Sequence, residues 1–296
     1  MNGKHVAAYF KERFPPLNMM LFAILFFTVY SVARYFTPQD DVPVYNLVLG
    51  VVATISFFYR LRVFDEIKDF RIDVINHPGR VLQSGRVTIR QLAAIALLLL
   101  PVEVIWSAVG GMQTLLCWGL AVAFSLLMRY EFFISRLLNR YLLLYSFTHM
   151  LIMPFIISWI WSAYGGAFTD SLPLLLLCLL SVTGGYSFEL ARKIHAPAAE
   201  RKGVDSYSRS IGFAGSIAGV CICLLAGIIT QFYLLDVMHT RRWPHYLLAV
   251  LYIVTLCIYL SAINKKQEKG LRAAELFVSL FMLISYVSLI IEVKLR

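Results

Sequence analysis

The chain has 296 residues, of which 59% are hydrophobic and 15% charged, and its mean hydropathy is +0.73. A water-soluble domain carries about 25% charged residues, so a soluble globule is excluded, as are disordered, collagen-like and coiled-coil chains. The net charge of +10 collects at the ends of apolar segments and makes no case for a nucleic-acid partner.

Crossing a bilayer takes about 20 apolar residues. The sequence offers nine such stretches, near roughly 17–36, 44–64, 90–109, 111–128, 141–163, 170–190, 210–233, 245–263 and 272–292. The runs are continuous rather than alternating, which predicts helices and not barrel strands. The expected fold is an all-α integral membrane protein, a bundle of nine transmembrane helices with cap loops over a central cavity, forming one domain over residues 1–296. With the N-terminus in the cytoplasm, only Arg34, Arg241, Arg242, Lys294 and Arg296 of the 27 Lys and Arg fall outside. That asymmetry predicts a multi-pass protein, placed in the bacterial inner membrane, with its charged loops toward the cytoplasm. The first apolar stretch is too long for a signal-peptide core, so no cleavable leader is expected. Cys117, Cys178, Cys221, Cys223 and Cys257 lie within spans and read as small apolar residues.

After the second span comes the first dense run of charge, Arg62-Val-Phe-Asp65-Glu66-Ile-Lys-Asp69-Phe-Arg-Ile-Asp73. On a helix with Asp69 at zero, Asp65 falls near about −40°, Arg62 about +20°, Asp73 about +40° and Glu66 about +60°. Four acids thus share one sector, while Arg60, Lys68 and Arg71 fall on the far side with Val63, Phe64, Ile67 and Phe70. A solvated helix end pairs its charges at i,i+3 or i,i+4. Carboxylates gathered at ~6 Å instead repel by roughly 2–3 kcal/mol per pair at an effective dielectric of ~20. A divalent cation removes that cost, and carboxylate oxygens with retained waters and phosphates suit Mg²⁺.

Further along, Glu103 sits toward the outer end of the third span, where snorkelling or a partner on another helix accounts for it. Tyr130 and Arg136 occupy the loop before the fifth span, and His149 lies within that span. The second dense charged connection runs from Glu189 through Arg192, Lys193, His195, Glu200, Arg201 and Lys202 to Asp205. His77 and His195 are candidate bases from the charged loops. Asn264 to Lys269 read as a turn facing anionic membrane lipids.

At these residues the chain resembles the UbiA-type intramembrane prenyltransferase superfamily. Its Asn-Asp-x-x-Asp-x-x-x-Asp motif corresponds to Asp65-Glu66-x-x-Asp69-x-x-x-Asp73. Arg62 matches an Arg three residues before that motif, and Arg80-Val-Leu-x-x-Gly85 matches the turn after it, with Val81 in place of Pro. The tail of the family's second motif, Asp-Arg-Lys-x-Gly, is similar to Glu200-Arg201-Lys202-Gly203-Val204. Where the family has two further aspartates, this chain has Lys193 and Ala196. The family's Tyr followed by a basic residue near the fifth helix finds no match in the spacing of Tyr130 and Arg136.

The resemblance implies an enzyme that ionises an isoprenyl diphosphate with Mg²⁺ and transfers the prenyl group to a lipophilic or aromatic acceptor. It implies Asp65, Glu66, Asp69 and Asp73 as catalytic metal ligands, with Glu200 as a further ligand. Arg62, Arg80, Lys193, Arg201 and Lys202 are implied as diphosphate-binding residues. A membrane terpene cyclase of the same superfamily, acting on a prenyl diphosphate without a second substrate, is the alternative. A CDP-alcohol phosphotransferase needs an Asp-Gly-x-x-Ala-Arg run that is missing here. A transporter places its polar groups near mid-membrane, whereas these cluster at helix ends.

Overall fold

The computed structural model describes residues 2–37, 41–165, 171–200, 205–241, 243–265 and 267–295. Among them all regular structure is helical: α1 (Gly3–Arg13), α2 (Pro16–Phe36), α3 (Val44–Asn76), α4 (Ile89–Val109), α5 (Met112–Arg129), α6 (Ser135–Arg140), α7 (Leu142–Met150), α8 (Ile152–Ser162), α9 (Leu172–Arg192), α10 (Tyr207–Ser210), α11 (Phe213–Val237), α12 (Trp243–Lys265) and α13 (Glu268–Lys294), with short 3₁₀ turns at Glu131–Phe133 and Pro197–Ala199. Nine of these are long and apolar enough to cross a membrane, with Leu142–Ser162 (α7 and α8) counting as one. The chain is therefore an integral, multi-pass membrane protein.

The spans close into a ring. Sequential neighbours pack from α2 to α5, α5 meets α8, the series continues through α9, α11, α12 and α13, and α13 returns to α2. Lipid tails are as apolar as leucine, so close packing rather than water exclusion holds such helices together. At Gly50 an added Cβ would stand 2.5 Å from the Phe26 ring and 2.9 Å from Trp106. Glycine there lets α2, α3 and α4 close on one another. Inside the ring lie Phe26, Phe57, Trp106, Trp159 and Trp161, all buried. Leu97 and Leu98 on α4 are 68% and 77% exposed; a soluble protein hides such a row, whereas a lipid-facing helix shows it.

Three departures from regular spans shape the charged end. First, α3 runs for 33 residues, about 50 Å at 1.5 Å per residue, well beyond the ~30 Å hydrocarbon layer. Its last third therefore projects past the apolar bundle and carries the acids. Second, the fifth span breaks at Leu151 between α7 and α8. Pro154 lacks an N–H and its ring crowds the Met150 carbonyl four residues earlier. Third, α1, too short and too polar to register among the apolar stretches, is a docked helix. Asn2 caps it by accepting from the Lys4 N–H at 3.1 Å, and Pro16 opens α2 directly afterwards. Tyr9 and Phe14 are buried in a cluster with Tyr59, Val63, Leu82 and Leu92. The Phe10 ring stacks on Tyr59 at 5.2 Å.

Charge also lies deep in the bundle. Arg60, expected on the far side of α3 from the acids, is buried. Its Nη2 donates to Glu103 Oε2 at 2.8 Å and its Nη1 to Ser125 Oγ at 3.2 Å. Ser56 Oγ donates to Glu103 Oε1 at 2.7 Å and Trp118 Nε1 to Oε2 at 2.9 Å. Glu103 thus has a partner on a neighbouring helix and does not snorkel.

Candidate active site

A chamber of about 550 Å³ opens at the charged end, within the size range of small-ligand sites. On the α3 side it is lined by Leu61, Arg62, Phe64, Asp65, Lys68, Asp69 and Asp73. Arg13 and Arg80 join them from α1 and the turn after α3. Ser125, Met128 and Arg129 come from α5, Tyr145, Ser146, His149 and Met150 from α7, and Glu189, Arg192 and Lys193 from the end of α9. Leu61, Met128, Met150, Ile152 and Met153 form its apolar part.

The helix arithmetic explains this α3 wall. Relative to Asp69 the lining residues run from about −140° (Phe64) through −100° (Lys68) and −40° (Asp65) to +40° (Asp73). The sector is wider than expected and rotated toward α7. Lys68 therefore belongs to the chamber and not to the far side. Its Nζ bonds the Tyr145 hydroxyl, lies 4.2 Å from that ring's centroid and pairs with Glu131 Oε1 at 3.0 Å. Glu131, Phe132 and Phe133 have φ of 50°, 52° and 58°. Three successive left-handed residues are costly and sit where strained backbone tends to collect, beside a site.

Glu66, at about +60°, points out of that sector and is 1% exposed. It faces α1 and not the chamber: Arg13 Nε is 2.7 Å from its Oε1 and Arg62 Nη2 is 2.8 Å from the same oxygen. Burial, with the Glu66 charge beside it, pushes the Tyr9 hydroxyl above the usual phenol range. Asp73 is engaged too, with Arg80 Nη1 at 2.8 Å and Arg13 Nη2 at 3.8 Å. The Val81 N–H donates to Glu12 Oε2 at 2.9 Å, tying the turn to α1. Asp65 and Asp69 differ: both open to the chamber, and neither has an ion-pair partner among the described residues.

The facing wall is cationic. Glu189 accepts from Arg192 at 2.6 Å and pairs with Lys193 at 2.7 Å, which consumes its charge and holds both cations at the rim. Lys68 acts electrostatically on both Asp65 and Asp69, and the α9 cations add to it, Arg192 at Asp65 and Lys193 at Asp69. Glu200 lies elsewhere. It accepts from Ser206 Oγ at 2.8 Å and pairs with Arg209 at 3.1 Å, and it does not line the chamber. Arg201 and Lys202 lie outside the described residues. His195 pairs with Glu268 at 3.1 Å, beside Arg272. Neither it nor His77 lines the chamber.

Among the described residues no three His, Cys, Asp or Glu side chains close into a cluster that would hold a metal by protein ligands alone. Asp65 and Asp69 instead form a pair one helical turn apart, about 6 Å along the axis. Two unpaired carboxylates over an open chamber fit the way Mg²⁺ is held, by one or two carboxylates with waters and phosphate oxygens completing an octahedron. The sequence reading missed Arg13, Lys68 and Tyr145 as site residues, whereas Arg192, which it paired with Lys193 as a candidate for holding the diphosphate, lines the chamber. For Arg13 a signal existed: Val6, Tyr9, Phe10 and Phe14 follow the spacing of an amphipathic helix. The structure puts Tyr145 and His149 at the chamber and leaves Tyr130 and Arg136 exposed.

Solved structures share the architecture. A digeranylgeranylglyceryl phosphate synthase superposes with a TM-score of 0.71 at 16% identity, covering 99% of this chain and 100% of its own. An apo UbiA homologue from Aeropyrum pernix K1 gives 0.64 at 15% identity, covering 88% of this chain and 95% of that one. A UbiA homologue from Archaeoglobus fulgidus, bound to GPP and Mg²⁺, gives 0.54 at 13% identity, covering 92% and 97%. At such identities the likeness is one of fold. No curated protein matches the sequence significantly. The UbiA prenyltransferase family profile matches residues 20–285. With that match spanning most of the chain, the protein belongs to the UbiA prenyltransferase family.

Proposed function

We propose that this chain is a Mg²⁺-dependent intramembrane prenyltransferase, a single domain over residues 1–296. It ionises an isoprenyl diphosphate and transfers the prenyl group to a lipophilic or aromatic acceptor. The observation that carries this reading is the pair of unpaired carboxylates, Asp65 and Asp69, facing Arg192 and Lys193 across a chamber that turns apolar above them. The GPP and Mg²⁺ of the Archaeoglobus fulgidus homologue support the same chemistry here. We assign the charged end to the cytoplasmic face, following the positive-inside rule.

Bound Mg²⁺ supplies Lewis-acid stabilisation of the departing diphosphate. Asp65 and Asp69 are the residues that would hold it, with Asp73 beside them in the same row. Glu66 acts one step back, fixing Arg62 and Arg13 at the rim. The diphosphate then lies between that row and Arg192, Lys193, Arg62 and Arg80. Arg engages phosphate as a fork and Lys as a point charge, and neither cation on the α9 side needs a second metal to meet the phosphate. As the C1–O bond breaks, negative charge moves onto oxygens already surrounded by fixed cations, with little reorganisation. The allylic cation is left where Leu61, Met128, Met150 and Met153 exclude water.

The test is release of diphosphate from geranyl diphosphate by purified protein with and without Mg²⁺, and with Asp69→Ala. Mg²⁺-dependent turnover that falls at least a thousandfold in the variant is expected. Full turnover in Asp69→Ala would overturn the metal assignment. Repeating the assay without acceptor reads the cyclase alternative, which predicts undiminished conversion to a hydrocarbon or cyclic alcohol.

A further inference from the structure

Apart from return to the diphosphate, the prenyl cation reaches product with loss of a proton when the acceptor is a neutral alcohol, phenol, aromatic carbon or water, or when the cation collapses to an alkene. An alcohol or phenol acceptor loses its O–H proton, an aromatic carbon loses its C–H, water loses one in forming prenol, and a cation collapsing to an alkene loses one from its own chain. Unless the departing diphosphate itself takes that proton, a neutral base is called for at the border between the chamber's charged floor and its apolar part. Its lining cations cannot accept a proton, and Asp65, Asp69 and Asp73 sit with the diphosphate. The Tyr145 hydroxyl is bonded to Lys68, and Glu189 is closed by two ion pairs.

His149 meets the requirement. It stacks on Tyr145 at 4.0 Å between ring centroids and lines the chamber next to Met150 and Met153. Its Nδ1 lies 2.8 Å from the Tyr145 carbonyl. A carbonyl only accepts, so Nδ1 carries the hydrogen, and the lone pair is on Nε2. Nε2 has no hydrogen bond among the described residues. Phe132 meets the ring edge-on at 6.1 Å between centroids. The imidazole is thus held in one tautomer and one orientation.

We infer that His149 Nε2 is the proton acceptor of the reaction, a catalytic role that rests on the prenyl-transfer reading above. In the step, the C1–O bond breaks and its electron pair leaves with the diphosphate. The acceptor oxygen or ring carbon bonds to C1, and its proton passes to Nε2. The imidazolium keeps its Nδ1–H bond to the Tyr145 carbonyl until the proton is released to solvent with the products.

The experiment separates bond cleavage from proton removal. Wild type, His149→Gln and His149→Ala are given Mg²⁺ and geranyl diphosphate, labelled with ¹⁴C in the chain and ¹⁸O in the bridging position, with detergent-solubilised membrane lipid as the acceptor source. Scrambling of ¹⁸O reports reversible ionisation, and ¹⁴C leaving the diphosphate fraction reports all product-forming fates together. In His149→Gln, scrambling is expected to stay within about threefold of wild type while conversion falls about 100-fold, the size of a general-base contribution. In His149→Ala, added imidazole is expected to restore conversion at least tenfold. Equal loss of scrambling and conversion would make His149 a diphosphate-positioning residue and overturn the inference. So would undiminished conversion in His149→Gln, or a correctly folded His149→Ala that imidazole fails to rescue. Wild type that neither scrambles nor converts the substrate would instead bring down the prenyl-transfer reading itself.

Discussion

Two of the places where this molecule brings opposite charges near one another are built differently. At Arg60 and Glu103 the charges close on each other and every Glu103 oxygen has a donor, from Arg60, Ser56 or Trp118. At the chamber, Asp65 and Asp69 lie open with Arg192 and Lys193 standing across from them. A buried pair closed charge on charge is part of the scaffold, and breaking it leaves one charge uncompensated in a medium that solvates it poorly. Like charges left unpaired one turn apart do nothing for the fold. They hold their energy in reserve for a cation that arrives with substrate. Closed charge here reads as structure and open charge as function, and each half of that contrast can be broken separately.

The largest expected effect is on the open side. Asp69→Asn should lower turnover by a thousandfold or more, while the melting temperature of the metal-free protein in detergent stays level or rises, because a repulsive neighbour of Asp65 is gone. A melting temperature that drops along with activity would mean Asp69 supports the fold. Next comes the closed side. Glu103→Leu leaves the Arg60 guanidinium buried without a counter-charge and should cost about 3 kcal/mol, measured by thermal or denaturant unfolding in detergent. Adding Arg60→Met should recover most of that loss. A double variant as unstable as the single one would show that the pair's hydrogen bonds to Ser56, Ser125 and Trp118 matter more than its charge.

Much of the open site was legible before any coordinates. Spacing alone put Asp65, Asp69 and Asp73 on one face of α3, because three residues at i, i+4 and i+8 can hardly do otherwise. The nine spans followed from the length of apolar runs. The closed site was not legible, since periodicity says that Arg60 and Glu103 need partners but not which helices become neighbours. Glu66 shows the same limit at the chamber. It shares the sector of the aspartates within about 60°, and the docking of α1, itself invisible to a search for long apolar stretches, turned it from the chamber into an ion-pair hub with Arg13 and Arg62. Lys68 failed in the opposite direction, since a long flexible side chain reaches Tyr145 from a position the helical wheel assigned to the far side.

The cationic wall is expected to show a smaller effect than either. Lys193→Ala removes a point charge from the diphosphate but leaves Arg192 in place. One lost charge-assisted contact of about 1.5–2 kcal/mol should raise KM for the diphosphate roughly 10- to 30-fold, with kcat within a few-fold. Lys193→Asp sharpens the contrast further. If the cation does the work on this wall, the aspartate weakens binding beyond the alanine variant, and Mn²⁺ bound per chain in the presence of a non-cleavable thio-analogue stays at one. If the wall can take a second metal, the stoichiometry rises to two and binding recovers at high Mn²⁺.

The smallest expected effect lies where the two kinds of charge meet. Arg13 lines the chamber yet spends its charge on Glu66 at 2.7 Å and, less closely, on Asp73 at 3.8 Å. It is half scaffold and half site. Arg13→Ala leaves Arg62 to hold Glu66, Arg80 to hold Asp73, and the aromatic packing of Phe10 and Phe14 on Tyr59 to hold α1 in place. About 1 kcal/mol of stability and a two- to fivefold change in KM are the expected losses, with hydrogen exchange of the α1 amides rising selectively. A loss as large as that of Asp69→Asn would mean that α1 is a working wall of the chamber and that the division into closed and open charge does not extend to its rim.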